Sequence, residues 1–261
     1  MTTQYRSKAL RRLAHVFAGA EAGVYTLPER ISDARAALDR LDAEQERLTK
    51  VPAVAHDAAL VDEITEAAKA GKKFPNPDQL AQAEQNRRAR DTYNAALNQA
   101  RELLEDNLEN AVVGSAELLI TESLRPVLGE VMAEATDLAA ALAGHGTDHR
   151  ALLGAPEPVR QARLRFDHVA TRYLALRNAQ TALSGFSPPA DEGGRFAELR
   201  NFDTLTAGYR PGVLPWPTDN TVAKLVWFAQ HDADVWMPTV TERQARFADH
   251  LATRLNPAVS A

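Results

Sequence analysis

The positions Leu10, Leu13, Phe17, Ala20, Val24, Leu27, Ile31, Ala34, Leu38, Leu41, Gln45 and Leu48 follow one another by alternating steps of three and four residues. Such spacing averages 3.5 residues, close to the α-helical turn, so these side chains form one stripe down a helix and require cover from other helices. Gln45 is the polar exception in an otherwise apolar series. Charges such as Asp39, Arg40, Glu46 and Lys50 lie off the stripe, and Glu46 to Lys50 has the favourable i,i+4 order. Thr26-Leu27-Pro28-Glu29 reads as a capping box with Pro in the first turn, so the stripe belongs to two helices or to one kinked helix, with a break near Thr26 favoured.

After Val51-Pro52 a shorter helix is expected from about Ala53 to Ala70, with Leu60, Ile64, Ala67 and Ala68 on one side and Gly71 as its cap. Asn76-Pro77-Asp78 then supplies an N-cap, a first-turn Pro and an acid for the positive end of the helix dipole. No Gly or Pro follows until Gly114, and a stripe through Leu97, Ala100, Leu104, Leu108, Ala111, Ser115 and Leu118 extends the expected helix to about Ser123. At 1.5 Å per residue it would be roughly 70 Å long. Residues 84–92 carry only Ala89 as an apolar side chain and belong in solvent or against a partner. By contrast, residues 111–120 are apolar nearly all round and read as core, with Gly114, Ser115 and Ala116 admitting a close second helix.

Pro126 kinks this helix or opens a new one carrying Val127, Val131, Ala135, Leu138 and Leu142 up to Gly144. A loop over 144–158 precedes a helix over 157–183, whose stripe is Val159, Ala162, Phe166, Val169, Tyr173 and Leu176. Residues 184–218 are rich in Pro and Gly, with one short helical candidate at 195–200. Helices over 219–231 and 240–255 close the chain, the second introduced by the capping box Thr239-Val240-Thr241-Glu242. The expected architecture is mainly α: a long antiparallel hairpin or coiled-coil-like bundle over 1–150, and a smaller aromatic, loop-rich helical region over 151–261.

Of the 261 residues, 45% are hydrophobic and 25% charged, ordinary values that exclude a disordered chain, and no stretch approaches a membrane span. The net charge of −5 disfavours a general nucleic-acid binder. With no cysteine, disulfides, thiolate metal sites and Cys nucleophiles are excluded. Arg6, Lys8, Arg11 and Arg12 ahead of Leu13 to Ala20 superficially resemble a signal peptide, but His15 and Glu21 interrupt the pattern, so a cytoplasmic location is expected.

Motifs that carry chemistry are sparse. His145, Asp148 and His149 offer two imidazoles and a carboxylate, the donor types of an open zinc site, on a polar loop with no helix to fix them. Glu102-x-x-Glu105 followed by Glu134-x-x-Asp137 resembles the carboxylate signature of the all-α nucleotide pyrophosphohydrolases. That resemblance covers four residues and implies magnesium held by acids on two adjacent helices, with water attacking a nucleotide phosphate. Glu63-x-x-Glu66 fits the first half equally well, and acids three apart also arise on any solvated helix face. The chain carries no G-x-S-x-G, phosphate loop, dinucleotide fingerprint or H-E-x-x-H.

Two groups are candidate interfaces. Arg87, Arg88 and Arg90, with Lys72 and Lys73 nearby if the helices form a hairpin, suit an anion or an acidic partner. Trp216, Trp227, Phe228 and Trp236, with Arg210, are residue types that dominate both protein interfaces and small cores. Long helices without a catalytic constellation point to a non-enzymatic scaffold or assembly protein that forms homo-oligomers and contacts other proteins, with neither nucleic acid, membrane nor cofactor. A phage or prophage virion-assembly component is one compatible setting. The alternatives are the magnesium pyrophosphohydrolase and a peptide- or protein-binding module that uses the aromatic region.

Overall fold

The computed structural model describes residues 7–49, 57–70, 77–145, 147, 154–184, 198–210 and 213–255, and the chain is mainly helical. Its helices are α1 (Lys8–Arg12), α2 (Ala14–Glu21), α3 (Glu29–Thr49), α4 (Asp57–Ala70), α5 (Pro77–Gly114), α6 (Ala116–Leu118), α7 (Arg125–Ala141), α8 (Glu157–Leu183), α9 (Phe202–Thr206), α10 (Thr221–Gln230) and α11 (Val240–Leu255). A π-helical segment, Leu119–Leu124, connects α6 to α7. Among the described residues the β structure is limited to an isolated antiparallel bridge between Leu199 and Val235. Residue contacts divide the chain into two units, one of residues 1–8 and 30–110, the other of 9–29 and 111–261.

In the first unit α3 and α5 run antiparallel, because partners that rise in number along α5 fall in number along α3. Arg90 Nη2 donates to the Leu48 carbonyl at 2.8 Å, Tyr93 Oη to Glu44 Oε1 at 3.1 Å, and the Arg101 guanidinium reaches Asp42 and Gln45. The heptad stripe explains which residues turn inward: Ile31, Leu38 and Leu108 are fully buried, with Ala67 and Leu97 nearly so. Each large aliphatic side chain withdrawn in this way contributes about 1.5–3 kcal/mol. Residues 84–92 stay outside, as their composition requires, with only Glu84 and Arg90 half-covered. The N-cap expected at Asn76 and the C-cap at Gly71 fall outside the described residues.

The second unit is organised around α8, which packs on α2 and α7, while α10 packs on both α7 and α8. Its stripe of Phe166, Val169, Tyr173 and Leu176 is at most 1% exposed and meets a core that includes Val16, Phe17, Val131, Ala135, Leu225 and Phe228. Thus α7, which precedes residue 150, and α8, which follows it, share one unit rather than dividing between segments 1–150 and 151–261. The reason is that the apolar stripes of α7 and α8 pack against each other. The chain enters α3 after a break at Ala22–Pro28, where Gly23 takes φ 70° and closes α2 with a Schellman motif: Gly23 N donates to Ala20 O and Val24 N to Gly19 O, each at 3.0 Å.

Three local expectations are corrected. The long helix ends at Gly114 rather than near Ser123, spanning 38 residues, or about 57 Å. Ser115 leaves helical geometry (φ −112°, ψ 8°), consistent with the weak helix propensity of the Gly-Ser pair. Among the described residues no second helix approaches Gly114, where an added Cβ would meet nothing within 4 Å, and Val113 and Leu118 are 65% and 47% exposed. Pro126 sits in the first turn of α7, and the π-helical segment runs directly into that helix. Finally, residues 198–200 are not helical. Leu199 pairs with Val235, and the short helix begins only at Phe202.

Candidate protein-interaction surfaces

The aromatic region is built on α9, α10 and the segment between them. Trp216 is its hub, with ring centroids 5.8 Å from Phe202, 5.4 Å from Trp227 and 5.6 Å from Phe228. Tilted and edge-on rings at these distances are the favourable arrangements for aromatic quadrupoles. Trp216 and Phe228 are 5% and 1% exposed, so both are taken up inside the unit. Trp227 remains half-buried and stacks on His231 at 4.0 Å and 9°, while His231 Nδ1 lies 2.9 Å from the Trp227 carbonyl. Trp236 is also half-buried, beneath the Arg200 guanidinium at 4.8 Å. Arg210 is exposed, and so are Tyr209, Val213 and Leu214.

Beneath this region lies a polar cluster that sequence reasoning did not find. Glu198 accepts hydrogen bonds from Tyr173 Oη on α8 and Lys224 Nζ on α10. Arg177, one turn after Tyr173, donates to the Trp236 carbonyl at 2.8 Å and to Gln180 Oε1 at 2.9 Å, and its guanidinium lies 5.0 Å from the Tyr173 ring. Gln180 Nε2 in turn donates to the Pro238 carbonyl at 3.2 Å. Burial opposes a charge on Glu198, but the Arg177 and Lys224 cations outweigh it and hold the carboxyl below its usual range. The same burial pushes the Tyr173 hydroxyl upward. Chemically the cluster is a fastening, because Arg177 and Gln180 hold the backbone carbonyls of Trp236 and Pro238 while Glu198 ties α8 to α10 through Tyr173 and Lys224. Its members are scattered between positions 173 and 238, and only the Tyr173, Arg177, Gln180 spacing on α8 hinted that one face was mixed.

The α5 arginines do not form a common grip. Arg87 and Arg88 both pair with Glu84, one turn earlier on the same helix, whereas Arg90 is bound to the α3 carbonyl of Leu48. Lys72 and Lys73 lie outside the described residues, as do Asp148 and His149 of the loop motif, whose His145 is exposed.

The four acids of the pyrophosphohydrolase-like pattern occupy different surroundings. Glu102 is exposed on the first unit, and buried Glu105 accepts from Arg101 and from the Ser7 backbone N–H. Glu134, on the second unit, pairs with Arg165 and Arg172, and Asp137 is exposed. Among the described residues no group of three or more His, Asp or Glu side chains is placed to hold a metal ion, and no helix is long and apolar enough to cross a membrane. Compared with known protein families, with curated proteins and with solved structures, the chain finds no match.

Proposed function

We propose that the protein is a non-enzymatic helical scaffold that works by self-association and contact with other proteins. The observation that supports this reading is the unequal cover of the stripe in the first unit. Ile31 and Leu38 are fully buried, yet Leu41 and Leu48 are only half-buried, and Ile64 and Tyr93 remain 39% and 45% exposed. A helix as long as α5 offers more length than α3 covers, and a second copy of the chain supplies the missing apolar surface. Light scattering on the purified chain should give a mass above that of one copy at micromolar concentration. Leu48→Lys, which places a charge in the half-covered part of the stripe, should lower that mass while leaving the helical circular dichroism intact. A strictly monomeric wild-type chain overturns the reading.

A second reading, a binding module for peptides or proteins, is favoured by the run of exposed Tyr209, Val213 and Leu214 beside the aromatic cluster in sequence. Half-buried Trp227 and Trp236 supply its reporter, since a partner seated there changes their emission. Tryptophan fluorescence that responds to no candidate peptide removes this second reading and leaves the first untouched.

A further inference from the structure

The stripe of α3 contains one polar member, Gln45, and that residue meets a buried ion network. Arg101 of α5 is 6% exposed, and its Nη1 donates to Asp42 and, at 2.9 Å, to Gln45, while its Nε donates to Glu105 Oε1 at 3.2 Å. Glu105, 3% exposed, accepts from the Ser7 N–H at 2.7 Å through its other oxygen, and the Ser7 hydroxyl lies 3.3 Å from Glu109. Arg101 and Glu105 together therefore join α3, α5 and the segment before α1 within the first unit.

A buried ion network contributes little net stability, because withdrawing its charges from water costs about as much as their attraction returns. Apolar side chains of similar volume in the same places are commonly as stable. What such groups supply is selection among pairings, as a single polar residue in a coiled-coil seam does. A purely apolar stripe reads nearly the same after sliding by one heptad, about 10 Å along the axis. Sliding α3 by seven residues would place Arg35 and Leu38, or Thr49 and Pro52, opposite Arg101 in place of Asp42 and Gln45. Either exchange removes the α3 carboxylate, so the buried guanidinium keeps Glu105 of its own helix but loses its ion partner across the helix pair, which disfavours the slid pairing.

We infer that Arg101, with Asp42, Gln45 and Glu105, is a register key that fixes which turns of α3 and α5 lie together, at no gain in stability. The inference goes beyond the scaffold reading and does not depend on self-association.

Its test exploits the absence of cysteine, which makes any engineered pair the only labelled positions. Spin labels on Ala43→Cys and Gln99→Cys, both exposed sites, report the α3–α5 offset by pulsed electron resonance. Dilution with unlabelled protein restricts the signal to distances within one chain. With the network intact, one narrow distance is expected. In Asp42→Leu/Arg101→Leu/Glu105→Leu, helicity and melting temperature should be retained or raised, and a second distance should appear. A single unshifted distance in that variant overturns the inference. Should the triple variant lose its helical signal, Arg101→Lys decides: it keeps the charge but lacks the fork that reads two helices at once. A minor second distance there supports the key, and one unshifted distance overturns it.

Discussion

Tyr25 closes over Gly19: its hydroxyl donates a 2.6 Å hydrogen bond to the Val16 carbonyl, and a Cβ on Gly19 would stand 2.6 Å from Tyr25 Cε1. Tyr25 is 5% exposed and tied at its far end, so the ring has little room to yield. Gly19→Ala should therefore destabilise by about 1–3 kcal/mol, although alanine is ordinarily the better helix former. Gly129 is the control. It lies inside α7 with nothing within 4 Å of an added Cβ, and Gly129→Ala should stabilise by about 0.5–1 kcal/mol. All three tryptophans belong to the same unit as both glycines, so urea denaturation followed by their fluorescence reads the effect directly. Equal shifts in the two variants would remove the argument.

Glu198 gives this unit an acid sensitivity. Burial raises its carboxyl, the Arg177 and Lys224 charges and the hydrogen bonds from Lys224 and Tyr173 lower it, and the net displacement is downward. A folded-state value below the unfolded one means that the stabilisation is complete above the ordinary glutamate range and disappears as pH falls through the folded value. Glu198→Gln should cost about 1–3 kcal/mol at neutral pH. Its denaturation midpoint should converge with that of the wild type as the solution is acidified below the usual glutamate range, and a gap that stays constant with pH would contradict the assignment.

The alkaline limb has the opposite sign. Burial raises the hydroxyl of Tyr25, and burial followed by Glu198 raises that of Tyr173. Stability from these groups is complete below the ordinary tyrosine value and is lost as pH rises through the displaced one. In a titration of phenolate absorbance both should ionise above the ordinary tyrosine range. Tyr25→Phe, which removes the hydroxyl's bond to the Val16 carbonyl, should cost about 1 kcal/mol.

The start of α11 is a reciprocal cap. Glu242 N–H donates to Thr239 Oγ1 at 3.2 Å, the Thr239 N–H donates to Glu242 Oε2 at 2.8 Å, and Arg125 donates to the same carboxylate oxygen. Thr239→Ala should lower stability by about 1 kcal/mol, and Glu242→Ala should release Arg125 as well. Hydrogen exchange ought to accelerate in the first turn of α11 in both variants. Unchanged protection there would show that the cap carries no weight.

Periodic patterns made most of the helices readable, because stripe residues answer to neighbours one turn away. Phe166, Val169, Tyr173 and Leu176 all turned inward, and Thr239-x-x-Glu242 formed the cap that its spacing implies. Ser115 was harder, since small residues suit a close helix contact and a break equally, and only the surrounding packing decides between them. Residues 198–200 misled for a related reason: their helical composition is outweighed by the pairing of Leu199 with Val235, a partner far along the chain. The charges at Asp42, Arg101 and Glu105 look like any solvated helix face until α3 is laid against α5, although Gln45 within the stripe was a visible irregularity. For the aromatic group, residue type told of burial without telling its degree, and Trp216 and Phe228 proved far more enclosed than Trp227 and Trp236.

The carbonyls of Trp236 and Pro238 receive the donors of Arg177 and Gln180, which ties the longest helix of the second unit to residues near the other end of its sequence. Dissection is thereby constrained. A fragment cut before Trp236 would keep α8 but deprive its guanidinium of a backbone acceptor, along with Met237, which is wholly enclosed. Such a piece should precipitate or adhere to chaperones, so any minimal version of this unit must run past Pro238.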